Sequence, residues 1–514
     1  MSASSGEDAP ARRGSKRERT IDLTRYRSIV DDWDAFTAAS ARPEPTVFRV
    51  RTGRVDEARL LEDLAAQGFR TRPIEGLAGF HQVVDEPHPV SMTLEHWNGL
   101  IYVQQASTGV AAPALAPRPG ERVLDLCSAP GGKTAHMADL MEDSGCLVAS
   151  EISEDRIRGL LGNMYRLVHT NVLAVSADGR AFPEGALFDR VLVDAPCTGE
   201  GTLRRRGGRP PRQSRSFLGY VTSAQRALLE RAVRLTKPGG TILYVTCTFS
   251  PEENEAVVSD ILGTMPVELE PLDLPVPHAR GVTSFEGAHF NPRVEGAARI
   301  YPHHLDSGGL FLARLRRLDG PVGEDPTPDV STASWTPVPH AFPDDGEATY
   351  SEPDEADALV AAAVNELADR FGVSRARLDE LSWTVRGGRV WVHSVDAWPL
   401  EAWKERDAWR AISIGIRAVE FDSRGRARPT NDVLRLLSGD VRERRVELDD
   451  EDLRTFLSRK PVPCDLDLRG PVAVGYRGHV VGRGARTGDG LKTEIPKARA
   501  ADLLRVLDRG QGAS

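Results

Sequence analysis

Between Glu121 and Arg317 the chain alternates short apolar runs with longer amphipathic stretches. The runs "RVLDL", "CLVASE", "NVLAVSAD", "FDRVLVDAP", "TILYVTC" and "GLFLARL" show no strict in-out alternation. Strands of that kind are buried on both faces. Between them, helices are predicted from Thr134, from Glu154, over "SAQRALLERAVRLT" and from Pro251. Strands buried on both faces and joined by helical crossovers predict a parallel, doubly wound α/β sheet over residues 116–318.

The flanks pattern differently. Residues 21–115 read as a mixed α/β region, with helical "YRSIVDDWDAFTAAS" and "VDEARLLEDLAAQGF" around a strand-like "TVFRVRT". Residues 319–354 are rich in proline and acid and read as a linker. An α/β extension follows over 355–438, with a helix around Ala356 to Arg370 and five tryptophans, Trp383, Trp391, Trp398, Trp403 and Trp409. Core packing is the better reading of those tryptophans, and base stacking the rival. Residues 439–514, with "GPVAVGYRGHVVGRGART", read as short strands with glycine turns in a small β-rich module. Residues 1–20 carry basic side chains and no apolar stretch, which predicts a disordered arm rather than a secretory signal.

Composition narrows the class. The chain has 514 residues, 40% hydrophobic and 27% charged, as expected of a soluble protein of several domains. No apolar run reaches the eighteen residues of a membrane span. Five cysteines, an odd number, make no disulfide framework and point to a reducing, cytoplasmic setting. The net charge of −9 weighs against a nucleic-acid partner. Local clustering weighs the other way: Arg204, Arg205, Arg206, Arg209, Arg212 and Arg215 fall within twelve residues, directly after "DAPC".

The first strand runs into "DLCSAPGGKTAHMADLM". A proline–glycine–glycine turn between strand and helix lets backbone approach a ligand closely. Its glycine spacing matches neither a phosphate-binding P-loop nor the Gly-x-Gly-x-x-Gly dinucleotide pattern. The second strand ends at Glu151, placed to accept ribose hydroxyls, and the third at Asp178, placed to reach an adenine edge. A nucleoside cofactor held without a phosphate anchor points to S-adenosylmethionine.

The fourth and fifth strands end in Cys197 and Cys247. Neighbouring strands lie about 4.8 Å apart, so both thiols are expected to face one pocket beside the cofactor's methyl. Cys127, Cys146 and Cys464 read as small buried hydrophobes, and no His/Cys cluster suggests zinc. Carbon 5 of a pyrimidine is a poor nucleophile towards a sulfonium methyl. A thiolate added at carbon 6 makes carbon 5 enamine-like, which is covalent catalysis. A free thiol is only a few per cent thiolate at pH 7, so the site must lower its pKa or supply a base. A second thiol can assist release of the product. Asp194, three residues before Cys197, is placed to hydrogen-bond the base at N3 and its amino group.

Together "DLCSAPGGKT", "ASE", "DAPCTGEGTLRR", "TCTFSPEENEAVV" and "RIYPHHLDSGGLFLARL" resemble the Nop2/Sun family of RNA 5-methylcytosine methyltransferases, which includes the RsmB and RsmF enzymes. The resemblance covers roughly residues 25 to 317. The tail, with "PTNDVLRLLSG" and "VVGRGARTGDGLKTEIPKA", looks like the RsmF-type extension ending in a PUA-like RNA-binding module. The resemblance implies a Rossmann-like methyltransferase sheet, an N-terminal RNA-binding α/β region and S-adenosyl-L-methionine as cofactor. Carried across, Cys247 is the nucleophile and Cys197 the helper in product release. The cofactor loop falls on Cys127, Ser128, Ala129, Pro130, Gly131, Gly132 and Lys133, with Glu151 on the ribose, Asp178 near adenine and Asp194 near methyl and base. Two departures stand out. Ser128 stands where the loop usually has alanine, and "RGGRPPRQSRSFLGYV" replaces the usual tryptophan-containing segment after "TLRR".

The expectation is therefore an enzyme that flips a cytosine of structured RNA into its pocket. The loop at Arg204, Arg205 and Arg206 would hold the RNA backbone. Small-subunit (16S) rRNA is the favoured substrate and transfer RNA the rival, with no membrane and no metal involved. Two other classes compete: an RNA-binding ribosome-assembly factor with vestigial catalytic residues, and a DNA cytosine methyltransferase, which would promote Cys197 to nucleophile.

Overall fold

The computed structural model describes residues 19–20, 22–206, 212–213, 215–322, 335–339, 341, 353–399, 409–464 and 469–509. Most of the expected basic arm and of the linker, with Trp403, lies outside them.

The N-terminal region is a four-stranded antiparallel sheet of β1 (Val47–Val50), β2 (Arg70–Pro73), β3 (Phe80–Asp85) and β4 (Ile101–Val103), in the order β2-β3-β1-β4. Helix α1 (Trp33–Ser40) is shorter than the apolar pattern suggests, because Asp32 caps it by accepting the Ala35 N–H. Helix α2 (Glu57–Ala66) starts in the same way at Asp56.

The central sheet has ten strands. Its parallel core is β5 (Arg122–Asp125), β6 (Cys146–Glu151), β7 (Val172–Ala177), β8 (Phe188–Asp194) and β9 (Thr236–Thr246). Their order is β9-β8-β5-β6-β7, so β5 has β6 on one side and β8 on the other. The strand order reverses at that point, and ligands of such folds bind at the carboxyl ends there. Helices α3 (Gly132–Leu140), α4 (Glu154–Leu167), α5 (Arg215–Leu235) and α6 (Glu255–Thr264) connect the strands. The unalternated apolar runs are explained by cover on both faces. Val191 and Val193 pack with Leu228 and Leu229 of α5, while Leu192 between them packs with Met137, Ala138 and Leu160 on the other face. Each such burial contributes about 1.5–3 kcal/mol.

One expectation needs correction. The run "GLFLARL" forms a strand, β13 (Leu310–Arg317), but it pairs antiparallel with β9. Around it lie β10 (Val267–Glu270), β11 (Ala279–Arg280) and β12 (Ala298–Ile300). Apolar runs report burial on both faces; they carry no information about direction.

The division between sheet domain and extension also needs correction. The extension forms α7 (Pro353–Asn365) and a small sheet of β14 (Ser382–Arg386), β15 (Arg389–His393), β17 (Ile416–Phe421) and β18 (Ala427–Pro429). Its remaining strand, β16 (Trp409–Ile414), joins the central sheet antiparallel to β7. An apolar edge strand otherwise exposes unpaired backbone, and the extension covers it. Nor is the linker a mere spacer. Trp335 stacks edge-on against Phe188 at 5.4 Å and its ring N–H donates to the Leu187 carbonyl.

The extension closes with helix α8 (Asn431–Leu436), and the tail forms β19 (Arg445–Glu447), β20 (Gly470–Tyr476), β21 (His479–Thr487) and β22 (Gly490–Thr493), with helices α9 (Asp450–Leu457) and α10 (Lys497–Arg509). Buried arginines join the parts. Arg49 and Arg51 of the N-terminal region pair with Asp139 of α3 at 2.6 and 2.8 Å. Burial alone would raise the Asp139 carboxyl, yet Arg51 and Arg49 hold it far below the usual range. Arg435 of α8 donates to the carbonyls of Arg166 (2.8 Å) and Trp97 (3.3 Å). Among the described residues no helix is long and apolar enough to cross a membrane.

Candidate active site

Strands β8 and β9 are neighbours, and just past their carboxyl ends lie Cys197 and Cys247, with sulfurs 3.2 Å apart. Both thiols are free and half-buried. The Cys247 backbone N–H also points at Cys197 Sγ, at 3.3 Å. The pair is electrostatically unequal. The Cys197 thiol donating to Cys247 Sγ lowers the Cys247 pKa; burial and Asp194 oppose this, and Lys133 assists it. The same bond, together with burial, pushes Cys197 well above the ordinary thiol range. Cys247 is thus the more readily ionised of the two thiols, and Cys197 the one that holds its proton more tightly.

Buried acids hold the two loops together. Glu253 Oε2 accepts the Thr198 N–H at 2.9 Å and Gln225 Nε2 at 3.0 Å, and Oε1 accepts the Thr198 and Thr248 hydroxyls. Gln225 Nε2 reaches the Pro196 carbonyl as well, at 2.9 Å. Glu253, on the Cys247 loop, thus holds the residue after each cysteine and ties the Cys197 loop to its own. Asn254 accepts the Thr246 hydroxyl (2.6 Å) and donates to the Thr248 carbonyl (3.0 Å). Glu200 accepts the Tyr26 hydroxyl at 2.8 Å and the Phe249 N–H at 3.2 Å, and burial pushes its carboxyl up to about 7. Glu255 pairs with Arg299, whose guanidinium also donates to the Phe249 carbonyl. At Gly201 the backbone N–H donates to the Cys247 carbonyl at 2.9 Å, and a Cβ there would fall 2.6 Å from the Gly309 carbonyl oxygen. Sequence reading missed these positioning residues. Their signal was the acid-rich "SPEENE", which reads as an exposed helix start and instead turns inward.

The other half of the pocket is the loop Cys127–Lys133. Asp125, pushed up to about 7 by burial, accepts the Thr134 hydroxyl at 2.8 Å and anchors the loop from below. Ser128 spends both its N–H and its hydroxyl on the Ser150 carbonyl, each at 2.9 Å, so its hydroxyl is not presented to a ligand. Arg156 holds the Ala129 carbonyl and Asn163 the Pro130 carbonyl. Gly131, at φ +102°, opens α3 with no side-chain cap on the helix. Gly132 lies under the Tyr102 ring, where a Cβ would approach to 3.2 Å. Burial raises the Cys127 thiol well above its ordinary value, which leaves it unreactive.

Lys133 Nζ donates to Asp194 Oδ2 at 2.7 Å, joining the two halves. Glu151 is 2% exposed; one oxygen accepts the Ser153 N–H, and the other lies 3.0 Å from Arg156 without a directed hydrogen bond. Asp178 caps a short turn and is gripped by Arg180 at 2.6 Å, so any ligand there shares it with that guanidinium.

The arginine loop departs from expectation. The Arg204 side chain is 1% exposed and donates to the carbonyls of Pro43 (2.7 Å) and Arg42 (3.1 Å) and to Asp306 (2.8 Å). Phosphate cannot reach it; it clamps the cysteine loop to the N-terminal region. Arg205 is 58% exposed and pairs with Glu44 at 3.1 Å. Arg206 ends the turn Glu200–Arg206, and its side chain, like Arg209, falls outside the described residues. Trp391 and Trp398 are buried, and the Trp383 ring N–H bonds the Leu378 carbonyl, which fits core packing. A histidine cluster escaped the sequence reading. His303 and His304 both reach Asp31, at 3.1 and 2.8 Å, while His304 Nδ1 accepts the Tyr301 N–H. That bond leaves the proton on Nε2, facing the carboxylate, so His304 is satisfied on both ring nitrogens, while the buried Nδ1 of His303 has no hydrogen-bond partner.

The family model for 16S rRNA methyltransferase RsmB/F matches residues 112–316. Ribosomal RNA small subunit methyltransferase F of Vibrio atlanticus is 30% identical over 496 residues, 93% of this chain and 97% of that protein. Its counterpart from Klebsiella pneumoniae is 30% identical over 91% of this chain and 93% of its own length. Human 28S rRNA (cytosine(4447)-C(5))-methyltransferase is 33% identical over 59% of this chain, which spans only 38% of the human protein. Among solved structures, a methyltransferase homolog protein from Pyrococcus horikoshii superposes with TM-score 0.51 at 33% identity, covering 55% of this chain and 90% of that one. Likeness along nearly its whole length to the small-subunit methyltransferases F places this chain in the Nop2/Sun (RsmB/RsmF) family of RNA 5-methylcytosine methyltransferases.

Proposed function

We propose that this protein methylates carbon 5 of a cytosine in small-subunit (16S) ribosomal RNA, with Cys247 as nucleophile, Cys197 as the group that assists release and S-adenosylmethionine as donor. The observation that carries the proposal is the unequal sulfur pair, 3.2 Å apart, with Lys133 and Asp194 beside Cys247.

The donor supplies an electrophilic methyl on a sulfonium. The chain's residues fit it: the uncapped N-terminus of α3, the glycine turn, and a Glu151 oxygen that lacks a directed hydrogen bond and suits a ribose hydroxyl. The Cys247 thiolate adds to carbon 6, and the displaced electron pair makes carbon 5 the nucleophile that takes the methyl. The carbon 5 proton then leaves to a base and the C6–S bond breaks. Cys197, which holds its proton against Cys247 Sγ in the resting site, donates to that departing sulfur. Asp194, 30% exposed, keeps an edge towards the base. The reverse assignment, with Cys197 as nucleophile, would ask the thiol with the raised pKa to ionise first. Small-subunit RNA is favoured because the relatives matched along their whole length are named for it, and the four-stranded tail sheet suits a PUA-like RNA contact.

The test is to incubate the Cys197→Ala protein with S-adenosylmethionine and, separately, 16S rRNA, assembled small subunits and transfer RNA. The expected result is an SDS-stable protein–RNA adduct on small-subunit RNA that Cys247→Ala abolishes. An adduct that instead requires Cys197 reverses the roles. An adduct on transfer RNA alone changes the substrate, and a parent protein that methylates none of these RNAs leaves an RNA-binding assembly factor.

A further inference from the structure

We propose that Cys197 and Cys247 close to a disulfide when a hydroperoxide enters the pocket, a reversible modification that withdraws the Cys247 thiol and shields it from further oxidation. The disulfide stands on the geometry of the two sulfurs; only its effect on methyl transfer rests on the proposed function.

Two backbone hydrogen bonds bracket the pair. The Ala195 N–H donates to the Val245 carbonyl at 3.0 Å and the Gly201 N–H to the Cys247 carbonyl at 2.9 Å, so the cysteine segments are tied together on either side of Cys197. Glu253 pins the next residue of each, through the Thr198 N–H and the Thr248 hydroxyl. The sulfurs, 3.2 Å apart, must approach by about 1.2 Å to reach the bonded length. Rotation of about 20–30° at each χ1 covers a distance of that order.

The two thiols are also ordered for such a reaction. Cys247 ionises the more readily, because Cys197 donates to its sulfur and Lys133 assists. Its thiolate attacks one oxygen of the hydroperoxide and the O–O bond breaks. Cys247 becomes a sulfenic acid, and the departing alkoxide takes up the proton that Cys247 gave up on ionising. The bond to the Cys247 sulfur is the main reason that Cys197 holds its proton, ahead of burial. Once that sulfur carries oxygen, the hold is gone. The Cys197 sulfur then displaces hydroxide from Cys247, and hydroxide leaves as water with the Cys197 proton. Two thiols are oxidised by two electrons to one disulfide, and one hydroperoxide is reduced to an alcohol and water. A sulfenic acid with no thiol in contact climbs instead to sulfinic acid, which thiols do not reverse. Two other cysteines are poor competitors: burial raises the Cys127 thiol well above its ordinary value and pushes Cys146 up to about 12. In a reducing compartment a disulfide of this kind is transient and senses oxidants.

The test exposes the full chain, without RNA or S-adenosylmethionine, to a small excess of hydrogen peroxide. Remaining thiols are blocked with N-ethylmaleimide and the digest is read by mass under non-reducing conditions. The expected product is the Cys197 peptide joined to the Cys247 peptide, two hydrogens lighter than the pair and separated again by dithiothreitol. Cys127 and Cys146 should be recovered as thiols. Methyl transfer by the linked protein should fall about ten-fold or more and return on reduction. In Cys197→Ser, which keeps the bulk, the same treatment should carry Cys247 to sulfinic acid beyond rescue by dithiothreitol. A parent whose Cys247 reaches sulfinic acid unlinked would overturn the proposal, as would one that keeps both thiols at a peroxide dose that oxidises Cys464. A linked protein that methylates RNA at the parental rate would overturn the shut-off, and with it Cys247 as nucleophile. The link is read by mass, so a parent that methylates no RNA removes the proposed function without touching the disulfide.

Discussion

The two halves of the pocket are built on opposite principles. Around the cysteines, the loops are locked by side chains that never reach solvent: Glu253, Asn254, Glu200 and the Glu255–Arg299 pair. Around the loop Cys127–Lys133, backbone carbonyls do most of the holding, and Glu151 keeps one oxygen without a directed hydrogen bond. On the proposed function the two sulfurs must keep their spacing through addition and release, which over-determined surroundings serve. On the proposed function a methyl donor must arrive and leave at each turnover, which suits a half framed mainly by backbone.

Removing one anchor from each half sharpens that contrast most. Glu253→Ala leaves the buried donors of Thr198 and Gln225 without their acceptor, at about 1–3 kcal/mol per group. Methyl transfer should fall more than a hundred-fold and the urea midpoint should drop with it. Glu151→Ala, in the open half, should weaken S-adenosylmethionine binding at least ten-fold, read by calorimetry, with a much smaller change in midpoint. Equal midpoint losses in the two variants would break the comparison.

Acid titration gives the next effect, and here the halves should behave alike. Glu200 and Asp125, one in each half, are both pushed up to about 7 by burial. A carboxyl raised in the folded state keeps a proton that the unfolded chain releases. Its stabilisation is full below about pH 4 and is lost as pH rises towards 7. The parent's unfolding free energy should therefore decline across that window, by on the order of 3 kcal/mol per group. Glu200→Gln should flatten the decline when urea midpoints are followed against pH.

A smaller effect tests the asymmetry of the sulfurs. Without the thiol of Cys197 as donor, Cys247 should ionise less readily. Cys197→Ala should slow iodoacetamide alkylation of Cys247 several-fold at pH 7, measured by peptide mass analysis. Faster alkylation would mean that Cys197 had not been stabilising the thiolate.

The smallest effect separates two neighbouring arginines. Arg204→Ala strands three carbonyls and leaves Asp306 with Arg42 alone, and should lower stability by about 2 kcal/mol. Arg205→Ala, exposed and paired with Glu44, should change it by less than about 0.5 kcal/mol.

Local chemistry was legible in the chain itself. Strand ends, the glycine turn, the cap of α4 at Ser153 and the two cysteines lie within short windows where periodicity and residue type suffice. From those windows follow the doubly wound sheet and the adjacency of Cys197 and Cys247. What the chain hid depends on contacts between residues far apart in sequence. The direction of β13, the strand β16 that the extension adds beside β7, and the burial of Arg204 against Pro43 and Asp306 are decided by neighbours more than a hundred residues away or by topology. The acids of "SPEENE" show the reason most plainly. A glutamate in sequence looks solvated, and only the tertiary structure brings the donors that let it be buried. Residue types thus determined that this protein carries two thiols beside a glycine-rich strand–helix turn. Packing alone decided which groups hold those thiols in place, and which arginines remain exposed.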